Sequence, residues 1–227
     1  MKRVIILILI ATASLMAASQ TFENPAFGLR TPETMIVAGV EFSGDNLAID
    51  LTVENQIAGG YFCADRNTYI VLPDGSRIRM ERSEGIPSCP DVYRFKRIGE
   101  VISFRLHFKT PSQLPEWFHL IEECGDNCFS VYAITLSSEL NESIERAYGL
   151  AEAGQPGAAG ILFREILAGL EGRKHGIEGA LYSNIVIMWL REGNEAEAAR
   201  WYRRMIEASP PEVDRYIENL ASRGIKW

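Results

Sequence analysis

The 227-residue sequence predicts an antiparallel β-sandwich followed by an all-α region of helical hairpins. Two periodicities and a cysteine distribution carry that prediction. Apolar and polar residues alternate between glycine-containing turns from Gln20 to Leu136, apolar residues then recur at helical spacing to the end, and all four cysteines fall in the first stretch. Repeated hairpins with no helix-length segment between them build a sandwich, whereas amphipathic helices joined by glycine turns build a helical array. The chain accordingly divides into a signal peptide over 1–19, a sandwich over 20–136, and hairpins with a C-terminal capping helix over 137–227.

Lys2 and Arg3 precede an apolar run over 4–16, which small residues Ala17, Ala18 and Ser19 follow. A basic flank, a short apolar stretch and small residues make a secretory signal peptide, here cleaved after Ser19 to leave Gln20 first. The run falls short of the roughly 20 residues that span a bilayer. No cysteine follows closely enough to be lipidated, and no second apolar segment could cross. The expected location is periplasmic or secreted, with no membrane span after signal removal. Losing Lys2 and Arg3 takes the formal net charge from −7 to −9. That acidity excludes a nucleic-acid partner, which would need clustered cations. Arg200, Arg203 and Arg204 read as a solvated helix face with Glu195, Glu197 and Glu207 nearby for pairing.

Within the β stretch, MIVAGVEFSGDNLAIDLTVEN reads as two strands about a Gly-Asp-Asn turn. TYIVLPDGSRIRMER is a second hairpin with Asp74 and Gly75 at its tip, VYRFKRIGEVISFRLHF a third about Gly99, and FSVYAITL a last strand. An even number of cysteines in an oxidising compartment favours two disulfides. Three pairings are possible. Cys63 with Cys89 and Cys124 with Cys128 is preferred, because the first staples the ends of one hairpin region and the second closes the CGDNC loop.

The segments TYIVLPDGSRIRMERSEGIP, ISFRLHFKTPSQLPEWFHLIEE and FSVYAITL together resemble a family of exported bacterial immunoglobulin-like domains. Asp74, Gly75, Glu84, Gly85, Ile86, Phe108, Ile121 and Glu122 carry the resemblance, which covers 35–136. It implies an immunoglobulin-like fold without an assigned activity. Thr110 and Ser112 depart from it, standing in a segment that is more apolar and proline-rich in the family.

In the helical stretch, Tyr182, Ile185, Val186 and Trp189 run at helical spacing into Gly193 and Asn194, after which Ala198, Tyr202, Met205 and Ala208 lead to Pro210. With Gly193 as the turn glycine, Tyr182, Ile185, Val186, Trp189, Ala198, Tyr202 and Pro210 match the tetratricopeptide signature, while Met205 stands where that family has alanine. The region therefore resembles tetratricopeptide (TPR) repeats. A weaker copy sets Gly154 on Gly193, which places Ala147, Leu150, Ala159 and Phe163 opposite Val186, Trp189, Ala198 and Tyr202. Val213, Tyr216, Ile217 and Leu220, ending at Gly224, read as a cap. Such units need about three or more neighbours to bury their faces, so this short array is expected to lean on the β region or on a second copy. The family binds peptides on the concave face of its first helices. Carried over by position, that face is Asn141, Ile144, Tyr148, Ser183, Ile187, Leu190 and Arg191.

The chain carries no G-x-S-x-G, phosphate-loop, H-E-x-x-H or calcium-loop pattern. His107, His119 and His175 read as surface or half-buried histidines, and Glu122, Glu123 and Asp126 as a solvated turn rather than a metal site. The function expected is non-catalytic: an interaction or scaffold protein for a protein or peptide partner, with no cofactor and with homo-oligomers possible. The alternative is an accessory carbohydrate-binding or enzyme-associated envelope domain.

Overall fold

The computed structural model describes residues 19–125, 127–170 and 175–227. The signal peptide expected over 1–19 lies, but for Ser19, outside the described residues, as do Asp126 of the CGDNC loop and residues 171–174. The strands are β1 Gln20–Glu23, β2 Arg30–Thr31, β3 Ile36–Ser43, β4 Asn46–Glu54, β5 Tyr61–Phe62, β6 Thr68–Val71, β7 Arg77–Glu84, β8 Tyr93–Arg94, β9 Val101–Lys109, β10 Trp117–Glu122 and β11 Ser130–Thr135. The helices are α1 Ser138–Glu152, α2 Pro156–Gly169, α3 Glu178–Arg191, α4 Glu195–Ala208 and α5 Val213–Ser222.

Nine strands join in one antiparallel sheet in the order β1-β3-β4-β9-β7-β6-β10-β11-β2, and β5 with β8 forms a small ribbon. Strand β7 belongs to both arms of the large sheet. Its residues 77–79 pair with β6, and from Met80 onward it pairs with β9, with a register shift between Met80 and Arg82. Such a bulge bends a strand and increases its twist. The sheet curls there into half a barrel, and aromatic side chains fill the concavity. Phe104 of β9 lies 6.5 Å from Phe129 beside β11, and Phe62 of the ribbon caps both at 5.6 and 5.9 Å.

The first two expected hairpins form as β3–β4 and β6–β7. The third does not. Strand β8 pairs with β5, while β9 pairs with β4 and β7. Side chains turn the intervening backbone: Glu100 accepts the Tyr93 hydroxyl and the Lys96 N–H, each at 2.6 Å, and buried Asn55 donates to the Arg97 carbonyl at 2.8 Å. Cys63 is bonded to Cys89 and Cys124 to Cys128, the two preferred pairs. Two disulfides are compatible with an exported protein. Among the described residues no helix is long and apolar enough to cross a membrane.

Helices α1 to α4 each pack on the next, and α5 returns onto α3. The turns after α1 and α3 are built alike. Gly154 at φ +75 and Gly193 at φ +80 take the left-handed conformation that glycine adopts without a Cβ penalty. The following amides, of Gln155 and Asn194, then bond back to Leu150 at 2.9 Å and Trp189 at 2.8 Å, positions already equivalent in the repeat alignment. After α5 the Ile225 amide makes the same bond to Leu220 at 3.0 Å beside Gly224.

The array leans on the outer face of the sheet. Ala133 of β11 is fully buried in the helical core, with Ala26 and Leu29 packed against it. Asn141 of α1 accepts the Ala26 N–H at 3.1 Å and donates to the Thr135 carbonyl at 3.2 Å. Tyr216 of α5, 1% exposed, wedges between Gly28 and Gly179, where an added Cβ would come within 2.1 and 2.3 Å of its side chain.

Candidate functional site

The helical region presents two surfaces. On the first-helix face, Tyr148 and Arg191 are exposed, and Ile187 and Leu190 are half-buried. Tyr148 packs edge-on against Phe163 at 5.2 Å, and its hydroxyl accepts from Asn184 at 2.8 Å, tying α1 to α3. Arg191 occupies the last turn of α3, where a cation complements the helix dipole. The other three expected residues are not on an open face. Ile144 is in the core, and Ser183 is buried with its hydroxyl 3.8 Å from the Met205 sulfur, because these positions face inward against neighbouring helices. Asn141 is half-buried and spends its amide on the junction with the sheet.

The second surface is a groove of about 940 Å³ between α2 and α4, with the start of α3 between them. Leu167, Ala168, Leu170, Tyr182 and Trp201 supply apolar lining, Arg164, Glu165, Glu178, Arg204 and Glu207 supply charges of both signs, and Pro210 and Pro211 stand at one end. Its aromatic wall is held from two sides. Trp201 lies 6.1 Å from the Tyr182 ring, carries the Arg204 guanidinium 4.7 Å above its own, and donates its indole N–H to Glu197 at 3.0 Å. A guanidinium stacked on an aromatic face keeps donors available for a ligand. Trp201 and Arg204 escaped the sequence reading, which placed Arg204 on a merely solvated face. Their spacing of three residues on one helix was the signal for a stacked pair.

In the β region the expected solvated turn contains a buried carboxylate. Glu122 is 7% exposed and accepts the Asp65 N–H at 2.7 Å and the Phe129 N–H at 3.0 Å. Burial pushes its pKa up against the opposing effect of those two bonds. All three histidines are buried, where surface or half-buried positions were expected. Each meets a specific polar neighbour. His107 Nδ1 lies 2.9 Å from Asn46 Oδ1, His119 Nδ1 accepts the Ala133 N–H at 2.9 Å, and His175 Nδ1 stands 3.6 Å from Glu116 across the junction. Burial holds the pKa values of His107 and His119 below the ordinary value. The exposed large apolar side chains described in the β region, Ile36, Ile57, Tyr61, Ile98, Val101 and Leu114, are mostly aliphatic.

Comparison with protein families, curated proteins and solved structures finds no match for this chain.

Proposed function

We propose that the chain is a non-catalytic exported interaction protein, an immunoglobulin-like sandwich followed by TPR-like hairpins, that holds an extended segment of a protein partner. The observation that carries this reading is the groove between α2 and α4, with its apolar lining of Leu167, Tyr182 and Trp201 and its charges of both signs. Apolar anchors confer affinity for side chains, and flanking charges select among segments and fix their direction. The repeated turn bonds after α1, α3 and α5 support the kinship of the hairpins. The aliphatic character of the exposed β surface favours a protein partner over a sugar, which would stack on aromatic rings.

The test is site-specific photocrosslinking in the full-length chain in cells. A photoreactive residue at Leu167 or Arg204 should capture a discrete partner, and one at Tyr148 or Arg191 should capture less of it. Preferential capture from Tyr148 and Arg191 would return the site to the first-helix face. Absence of a discrete partner from all four positions would overturn the interaction reading.

A further inference from the structure

The two disulfides are set in different surroundings. Cys63 and Cys89 are 26 residues apart, and the backbone beside them is clamped, Ala64 donating to Pro87 at 3.0 Å and Cys89 to Ala64 at 3.1 Å. Cys124 and Cys128 are four residues apart. Closing so short a loop restrains the unfolded chain weakly. Yet polar groups converge on this second pair. The Cys124 backbone N–H is aimed at the Cys128 sulfur from 3.1 Å, and a Glu122 carboxylate oxygen and both sulfurs all lie within 4.8 Å of one another. Both cysteines are half-exposed, whereas Glu122 is buried.

We propose that the Cys124–Cys128 disulfide is a thiol-exchange site that accepts two electrons from an exported dithiol, with Glu122 holding the proton of the departing sulfur. One thiolate of the dithiol attacks Cys124 Sγ. The Cys124–Cys128 bond breaks, a mixed disulfide forms at Cys124, and the electron pair leaves on Cys128 Sγ. The Cys124 N–H stabilises that thiolate, as a backbone donor does for any developing anion. Protonated Glu122 then delivers a proton to Cys128 and is reprotonated from solvent. The second thiolate of the dithiol attacks its own partner sulfur in the mixed disulfide and releases Cys124, which takes up a proton. In sum the dithiol is oxidised to a disulfide, and Cys124 and Cys128 gain two electrons and two protons.

Burial raises the Glu122 pKa, which brings its proton closer to the range where thiols exchange. Among the described residues, the charged group that acts on it is Asp65, which raises it further, and the exposed Arg77–Glu123 ion pair begins at the next residue.

The test is timed reduction of the full mature chain by dithiothreitol and by glutathione, with alkylation and peptide mapping of each cysteine. Cys124–Cys128 should open at least about tenfold faster than Cys63–Cys89 while the fold is retained, and should re-form in oxidised glutathione. Its pH–rate profile should carry an inflection above the ordinary glutamate value of 4.5. That inflection should keep its position when the attacking thiol is changed, vanish in Glu122→Gln and persist in Glu123→Gln. Equal rates for the two disulfides, or opening only as the protein unfolds, would overturn the exchange site. A profile that follows only the attacking thiol in the wild-type chain, or one unmoved in Glu122→Gln, would overturn the part given to Glu122. The wild-type measurement decides this even where Glu122→Gln fails to fold.

Discussion

The β and helical regions differ in where their cores come from. Every buried residue of the sheet's core, from Phe22 to Leu136, belongs to the β region. The helical core instead takes in Ala133 and packs against Ala26 and Leu29, all three from the β side of the chain. Two hairpins and a cap have too few neighbours to bury their inner faces on one another. They complete the burial on the outside of the sheet, and small residues at the junction let backbones approach. The difference leads to the expectation that the helices depend on the sheet more than the sheet depends on the helices.

Separating the regions should break the comparison most completely. Residues 20–136 expressed alone should keep a cooperative thermal transition by circular dichroism, whereas 137–227 alone should show none. A cooperative melt of the isolated helices would refute the asymmetry. Within the intact chain, Tyr216→Ala should cost about 3–5 kcal/mol in denaturant unfolding, the usual range for truncating a buried aromatic. Gly179→Ala approaches the same contact from the other side. Its Cβ would lie 2.3 Å from the Tyr216 ring and should cost about 1–3 kcal/mol by overpacking. If either substitution leaves the denaturation midpoint unchanged, Tyr216 is not the wedge between the regions.

The disulfides sharpen the comparison inside the β region. The chain-entropy relation assigns about 3.5 kcal/mol to the closure between Cys63 and Cys89 and about 2 kcal/mol to that between Cys124 and Cys128. Cys63→Ser with Cys89→Ser should therefore lower the melting temperature more than Cys124→Ser with Cys128→Ser. The reverse order would mean that the small loop is the structural one.

The smallest expected effect is on pH dependence. The folded-state pKa values of His107 and His119 lie below the unfolded value, so the stability of their neutral rings is complete above 6.5 and is lost as pH falls through the folded values. Glu122 has the opposite sign. Its folded pKa is raised, so its contribution is present below 4.5 and is lost as pH rises through the folded value. Melting temperature should decline gently as pH drops below 6.5, and His119→Gln should flatten that decline. An unchanged slope would place the acid sensitivity elsewhere.

Much of the helical region was legible because its signals are local. Gly154, Gly193 and Gly224 mark three helix ends, and the spacing of Tyr182, Ile185, Val186 and Trp189 marks a helix without reference to anything distant. The β region was legible only where a turn was. The Gly44 and Gly75 turns identify β3–β4 and β6–β7, but Gly99 suggested a hairpin that Asn55 and Glu100 replace with a side-chain-held loop. Strand β10 was hard to read because five of its six residues are buried, which removes the alternation that marks a half-exposed strand.

The sequence by itself determined the order of β before α and the positions of the helix-ending turns, and it left three cysteine pairings open, of which the structure contains the preferred one. Each depends on residues close together in the chain or on the chemistry of a single residue type. Only the tertiary structure decided that β7 serves both arms of the sheet, that Glu122 and the histidines are buried, that Ile144 and Ser183 face inward, and that Trp201 and Arg204 line a groove. Burial and convergence depend on partners far away in sequence, and periodicity along one segment carries no record of what packs against it.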